Sequence, residues 1–147
     1  MWKATRVKAQ LLLPSDVVVS TDERTTKPMV LPYDKIPMGL GIFDIGPIAQ
    51  KELSSIVSKA KTVIWNGPMG LYEDERFASG TIATCTAIAN SEAMTIVGGG
   101  DTISTISDES LLQKIDLIST GGGAMLEFIE KGTLPTIETL KNGNHTA

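Results

Sequence analysis

The sequence is short of several things, and each shortage excludes something. It holds a single cysteine, Cys85, in 147 residues, so no internal disulfide can form and the fold must rest on its core. One isolated thiol fits a reducing compartment. Aromatics make up only 5%, and no run of about 18 apolar residues occurs, so hydropathy gives no membrane-spanning helix. Met1 to Gln10 lacks the apolar stretch of a secretory signal. Positive charge is also short: 13 Lys and Arg against 17 Asp and Glu leave a formal charge of −4. That balance argues against non-specific partners such as nucleic acid or an anionic membrane. A polyanionic ligand would have to be met by local chemistry.

What is present reads as one globular domain, 41% hydrophobic and 20% charged. Short apolar runs at Leu11 to Leu13, Val17 to Val19, Thr62 to Trp65, Met94 to Val97 and Ile115 to Ile118 lack polar alternation, so they read as buried strands. Helical spacing lies between them. Pro47 opens a helix over Ile48 to Lys61 that places Ala49, Leu53, Ile56 or Val57 and Ala60 on one face. Glu75 to Asn90 aligns Phe77, Thr81, Cys85 and Ile88, so Cys85 reads as a small core residue, with a reactive thiol as the alternative. Ala124 to Lys131 stops at Gly132, with Pro135 beyond. Alternating strands and helices predict an α/β fold with a largely parallel sheet flanked by helices. Ser20 to Ile36, with two prolines and no period, reads as a surface excursion or a pair of short edge strands. The segment from Lys141 to Ala147 reads as a frayed tail, and His145 within it as a bystander.

Glycine clusters point to the chemistry. Gly98-Gly99-Gly100-Asp101-Thr102 and Thr120-Gly121-Gly122-Gly123 each follow an apolar strand and precede a helix. Such loops let a ligand approach the backbone, and the helix start offers unpaired N–H groups, so an anion such as phosphate suits both. The bland alternative is a tight βα turn, for which three glycines are more than needed. Asp101 is either a helix N-cap or, beside a phosphate, a holder of Mg²⁺. A third loop, Asn66-Gly-Pro68-Met-Gly-Leu71-Tyr-Glu73, leaves its strand at the same edge. Pro68 and Leu71 offer apolar surface to a base, and Glu73 either accepts ribose hydroxyls or merely precedes the next helix. Phe43, in the turn Phe43-Asp44-Ile-Gly-Pro47, either flanks a base or is buried.

Leu12-Leu-Pro-Ser-Asp16, Asp44-Ile-Gly-Pro47, Trp65-Asn-Gly-Pro-Met-Gly70, Phe77-Ala-Ser-Gly-Thr81, Gly98-Gly-Gly-Asp-Thr102 and Ser119-Thr-Gly-Gly-Gly-Ala124 together resemble phosphoglycerate kinase. The resemblance covers nearly the whole chain. It implies a Rossmann-like piece of the C-terminal, nucleotide-binding domain of a two-domain kinase, spanning residues 1–147. The N-terminal 3-phosphoglycerate domain, the early nucleotide-domain strands and the active-site lysine are absent. By that resemblance Phe43, Asn66, Pro68, Leu71 and Glu73 contact the adenosine of ATP or ADP, Gly98, Gly99, Gly100 and Thr102 meet the phosphates, and Asp101 holds Mg²⁺. Gly99 with Gly121, Gly122 and Gly123 would lie beside the transferring phosphoryl group. The family is usually monomeric and cytoplasmic, or plastid where a transit peptide precedes it. One stretch departs from the family: Gly39-Leu-Gly-Ile42-Phe43-Asp44 stands where it usually reads Gly-Trp-Met-Gly-Leu-Asp, which would narrow the base pocket.

Two functions follow as expectations. One is an enzyme part, inactive alone, of a kinase transferring phosphoryl groups between ATP and 3-phosphoglycerate. The other is a non-catalytic module that binds a nucleotide weakly or docks on a partner.

Overall fold

The computed structural model describes residues 9–21, 27–106 and 108–143. Two three-stranded sheets organise the described residues. The first contains β1 (Asp16–Ser20), β2 (Met29–Pro32) and β3 (Gly41–Ile45), in the order β2-β1-β3 and antiparallel throughout. The second contains β4 (Thr62–Asn66), β5 (Met94–Gly98) and β6 (Leu117–Ser119), parallel and in that order. The helices are α1 (Pro47–Val57), α2 (Ser79–Ala89), α3 (Gly100–Ser104), α4 (Glu109–Leu112), α5 (Gly122–Lys131) and α6 (Pro135–Gly143), with a 3₁₀ turn at Glu75–Phe77. The expected α/β fold with a helix-flanked parallel sheet is present, joined by an antiparallel sheet to which Val17 to Val19 belong.

The parallel sheet buries one face. Trp65, Val97 and Ile118 share a register row, as do Ile64, Ile96 and Leu117, and successive rows point to opposite sides. Trp65 and Val97 enter the main core with Val57, Cys85, Ile88, Ala89, Ile106 and Ile115. Burial pushes the Cys85 thiol above its ordinary range, as suits a core position. The other face stays open: Ile64 is 43% exposed, Leu117 51% and Met94 55%. Phe77, Thr81, Cys85 and Ile88 are all buried, as their spacing requires.

Several elements differ from expectation for physical reasons. Leu11 to Leu13 form no strand and are exposed, because no neighbouring strand offers a ladder and Pro14 cannot donate to one. Leu12 and Leu13 instead edge an apolar cleft of about 710 Å³ together with Ile45, Leu53, Ile56 and Met69. The helix from Pro47 ends at Val57, four residues early, and Ile56 stays 44% exposed. Glu75 to Asn90 is interrupted at Ala78, since Asp74 caps a separate 3₁₀ turn by accepting from Arg76 N–H at 3.1 Å. Of the segment Ser20 to Ile36, Ser20 ends β1 and Met29–Pro32 forms a described strand at the sheet edge. The strand expected at Ile115 to Ile118 begins only at Leu117. Pro135 starts a helix, as proline at a first turn can, and Lys141 to Gly143 belong to it. His145 lies outside the described residues.

A reciprocal lock joins the strands at their N-terminal ends. Thr95 donates its N–H and its hydroxyl to the Asp116 carboxylate, both at 2.8 Å, while Asp116 N–H donates back to Thr95 Oγ1 at 3.0 Å. The two donations from Thr95 hold the Asp116 carboxyl below its ordinary 3.8. A lowered carboxylate contributes stability above its unfolded value and loses it as pH falls through the folded value. Asp116→Ala should therefore lower the melting temperature at neutral pH, with the gap to the parent closing below pH 3.8. A gap equally wide in acid would count against the lock.

The open sheet face generates a second expectation. Ile64, Ile96 and Leu117 adjoin one another across three strands, a contiguous apolar surface of the kind that drives association. Light scattering of the isolated chain at tens of micromolar should report oligomers, and Ile64→Lys should reduce them. Monodisperse monomer in the parent would contradict this.

Candidate functional site

Parallel pairing brings the three glycine-rich turns to one level. Asn66 pairs with Gly98, and Gly98 with Ser119, so the loops after β4, β5 and β6 leave the same sheet edge together. This is where ligands bind in open α/β sheets. The two triplets pack on each other. Gly99 N–H donates to Ser119 O at 2.9 Å, and a Cβ on Gly122 would lie 2.9 Å from Gly99 Cα while colliding with Asn66 Oδ1. Gly99 has φ +96°, a conformation that other residues adopt only with strain. Gly98 is buried beneath the Met125 side chain.

Gly100 and Gly123 are different. Both are exposed, neither has positive φ, and a Cβ on either would meet no atom within 4 Å. Bareness there serves no packing purpose. The backbone hydrogen bonds explain what it exposes: Ile103 N–H is the donor to Gly99 O at 3.0 Å, and Met125 N–H to Gly121 O at 2.8 Å. Helix geometry therefore leaves the N–H groups of Gly100, Asp101 and Thr102 in α3, and of Gly122, Gly123 and Ala124 in α5, without an intrahelical acceptor. Six donors lie on two adjacent turns.

Asp101 is exposed in the first turn of α3, whose N-cap is Gly99, so the capping alternative for Asp101 falls. Among the described residues no group of three or more His, Cys, Asp or Glu could hold a metal. A single carboxylate nonetheless fits Mg²⁺, which commonly keeps its waters and takes one or two carboxylates plus substrate phosphates. Thr102 is buried, and its hydroxyl accepts from Gly67 N–H at 2.7 Å, which ties the first turn of α3 to the loop after β4.

The loop after β4 is held from beneath. Gly67 has φ +100°, with its carbonyl accepting from Trp65 Nε1 at 2.7 Å while Thr102 takes its N–H. Thr81, 1% exposed on α2, accepts from Met69 N–H at 3.0 Å and from Gly70 N–H at 3.4 Å. Leu71 N–H donates to Phe43 O at 2.8 Å. The result is an open cleft of about 360 Å³ lined by Ile42, Phe43, Asp44, Pro68, Met69, Gly70 and Leu71. Phe43 is half-buried, its ring 5.0 Å from that of Phe77. Thus Phe43, Pro68 and Leu71 share one cleft, Asn66 sits against the triplets, and Glu73 is exposed at the end of the loop.

The phosphoglycerate kinase family matches over residues 1–132. The chain belongs to the phosphoglycerate kinase family. It is 51% identical to the phosphoglycerate kinase of Herpetosiphon aurantiacus over 90% of this chain and 34% of that protein. Against that of Maridesulfovibrio salexigens it is 41% identical over 98% and 36%. The solved phosphoglycerate kinase of Coxiella burnetii superposes with a TM-score of 0.82 at 40% identity, covering 95% of this chain and 36% of that one. The Pyrococcus horikoshii structure gives 0.68 at 34% identity, covering 87% and 32%. The chain spans about a third of the length of the curated relatives it matches. Among the described residues no helix is long and apolar enough to cross a membrane.

Two family motifs owe their aspartates to helix capping across the fold. Asp16 on β1 accepts from Ile48 N–H at 3.1 Å and Ala49 N–H at 2.8 Å, at the start of α1. Asp44 on β3 accepts from Gly80 N–H at 2.7 Å and Ser79 Oγ at 3.1 Å, at the start of α2, and from Ile45 N–H at 2.8 Å. Gly46 lies against the Asp16 carboxyl, and Gly70 and Gly80 against that of Asp44, leaving no space for side chains there. Burial raises the Asp44 carboxyl above its ordinary range, while those three donors pull it back. Sequence reasoning missed the supporting roles of Asp44 and Thr81. The available signal was a polar residue at a buried position: Asp44 inside a strand, and Thr81 on the apolar face of a helix.

The two kinds of glycine separate by experiment. Gly122→Ala forces a methyl group into the contact between the turns and should cost about 1–3 kcal/mol, the usual range for overpacking. Gly100→Ala and Gly123→Ala place the methyl in open space and should leave the melting temperature unchanged or slightly raised, since alanine favours a helix. Equal destabilisation by all three, read by thermal melting, would contradict the packing.

Proposed function

We propose that this chain is the nucleotide-binding part of a phosphoglycerate kinase, taking Mg-ADP or Mg-ATP along the C-terminal edge of the parallel sheet. The observation that carries the reading is the pair of bare glycines, Gly100 and Gly123, on two turns packed against each other whose first N–H groups have no intrahelical acceptor. The phosphates bind these N–H groups, the adenosine enters the cleft of Phe43, Pro68 and Leu71, and Asn66 stands between the two. Glu73 is the ribose contact. Residues 1–147 then form part of one nucleotide domain, with 3-phosphoglycerate bound by a part that this chain does not contain.

The complete enzyme would move a phosphoryl group between 1,3-bisphosphoglycerate with ADP and 3-phosphoglycerate with ATP. In that reaction the backbone of Gly99, Gly100 and Gly121 to Gly123 aligns the phosphate chain and offers donors to its oxygens, which is most of what phosphoryl transfer asks of a protein. Asp101 would hold Mg²⁺, which supplies charge neutralisation on the phosphate oxygens. Five-residue α3 contributes its N–H groups rather than a sizeable helix dipole, whereas α5, ten residues long, adds partial positive charge at Gly122.

A second reading, a non-catalytic module, draws on Ile42, which is 57% exposed at the rim of the base cleft where the family usually has glycine. Titration calorimetry separates the readings. The chain should bind MgADP, Gly100→Ala should weaken binding roughly tenfold to a hundredfold, as for a lost charge-assisted hydrogen bond, and Asp101→Asn should weaken MgADP but not metal-free ADP. The chain alone should give no turnover in a coupled assay, and addition of the first two thirds of a relative should restore it. Binding without restorable turnover would favour the module, and absence of MgADP binding would overturn the kinase reading and leave only a module that docks on a partner.

A further inference from the structure

Among the buried polar groups, Thr81 is one that no ligand contact in the nucleotide reading explains. Thr81 occupies the apolar face of α2, in line with Phe77, Cys85 and Ile88, and is 1% exposed. A hydroxyl at such a depth is costly unless it is hydrogen-bonded. Its partners belong neither to α2 nor to a sheet: they are Met69 N–H at 3.0 Å and Gly70 N–H at 3.4 Å, in the middle of the loop that walls the base cleft. Helical threonines usually return their hydroxyl to a carbonyl four residues back, as Thr84 does to Gly80 O at 2.7 Å and Thr86 to Ile82 O at 2.8 Å. As an acceptor, Thr81 reaches outward.

We propose that Thr81 is a positioning residue for the nucleotide base: its hydroxyl fixes the backbone of Met69 and Gly70 and thereby sets the wall formed by Pro68 to Leu71. The proposal rests on the reading of that cleft as the base site. The phosphate turns have their own attachments. Thr102 holds Gly67, Ser119 holds Gly99, and Asn66 abuts Gly122, none of them through Thr81. Loosening Met69 and Gly70 should therefore harm recognition of the base and spare that of the phosphates.

The test compares the chain with Thr81→Val, which keeps the shape and removes the acceptor, and Thr81→Ser, which keeps the hydroxyl. Amide hydrogen exchange reports the loop directly. In Thr81→Val, exchange at Met69 and Gly70 should quicken at least about tenfold, the scale of one net hydrogen bond, beyond any change at Val97 in the core. Thr81→Ser should restore slow exchange. MgADP affinity should fall about tenfold in the valine variant and recover in the serine variant, while affinity for magnesium tripolyphosphate stays within about twofold. Unchanged exchange at Met69 and Gly70 overturns the proposal. So does an equal loss of MgADP and tripolyphosphate, which would make Thr81 a merely structural residue. If the parent binds tripolyphosphate and MgADP equally well and adenosine not at all, the cleft is no base site, and the parent reading fails before any variant is compared.

Discussion

The contact between Gly122 and Gly99 is the constraint on which the site depends. Two βα turns lie backbone to backbone, with Asn66 against the same spot, and no side chain separates them. The alignment of β4, β5 and β6 puts Asn66, Gly98 and Ser119 at one level, and the missing Cβ atoms then let the turns close. A methyl group at Gly122 would push α5 away from α3 and scatter the N–H groups that their first turns leave free. Gly100 and Gly123 depend on this arrangement without contributing to it, which makes their lack of side chains informative.

The same logic recurs where side chains take the place of regular secondary structure. The loop from Asn66 to Leu71 has little ladder of its own, yet Thr102 and Trp65 each meet one of its polar backbone groups, Thr81 meets two, and Phe43 O meets another. Buried oxygens are stable here because they accept from N–H groups that a loop or helix start leaves over. Asp44 shows what the arrangement costs: burial raises its carboxyl against three donors that favour the ionised form. Two such aspartates orient α1 and α2 on the antiparallel sheet, and α2 in turn carries Thr81 to the loop.

How far this was legible in the sequence varied with the kind of signal. Turns with a strong composition, Gly98 to Gly100 and Gly121 to Gly123, declared both their place and their shared edge. Helix faces with regular spacing, such as Phe77 to Ile88, were readable for the same reason. Leu11 to Leu13 misled because an apolar run states a preference for burial but not the presence of a neighbour to pair with. Within the triplets the roles stayed hidden: Gly99 is needed for its φ, Gly122 for its closeness to another turn, and Gly100 for neither. Those distinctions arise from contacts between segments that are more than twenty residues apart. Thr102 is the clearest case, since its motif points to phosphate while its hydroxyl is taken by Gly67, 35 residues earlier.

The supports of the site come from the covered side of the parallel sheet, from β3 of the antiparallel sheet and from the turns themselves. Trp65, Thr81 and Thr102 are buried, and none of them touches the open row of Ile64, Ile96 and Leu117 through a hydrogen bond. Covering that row would add stability without rebuilding the glycine turns. The base cleft is less complete, because its wall consists of two short segments, residues 42–44 and 68–71, and it opens widely to solvent. On the proposed reading an adenine there would gain contact on few sides, whereas the phosphates would meet N–H donors from two helix starts. The phosphate chain should then dominate nucleotide affinity, and the base should contribute only as far as the loop that Thr81 holds keeps its shape.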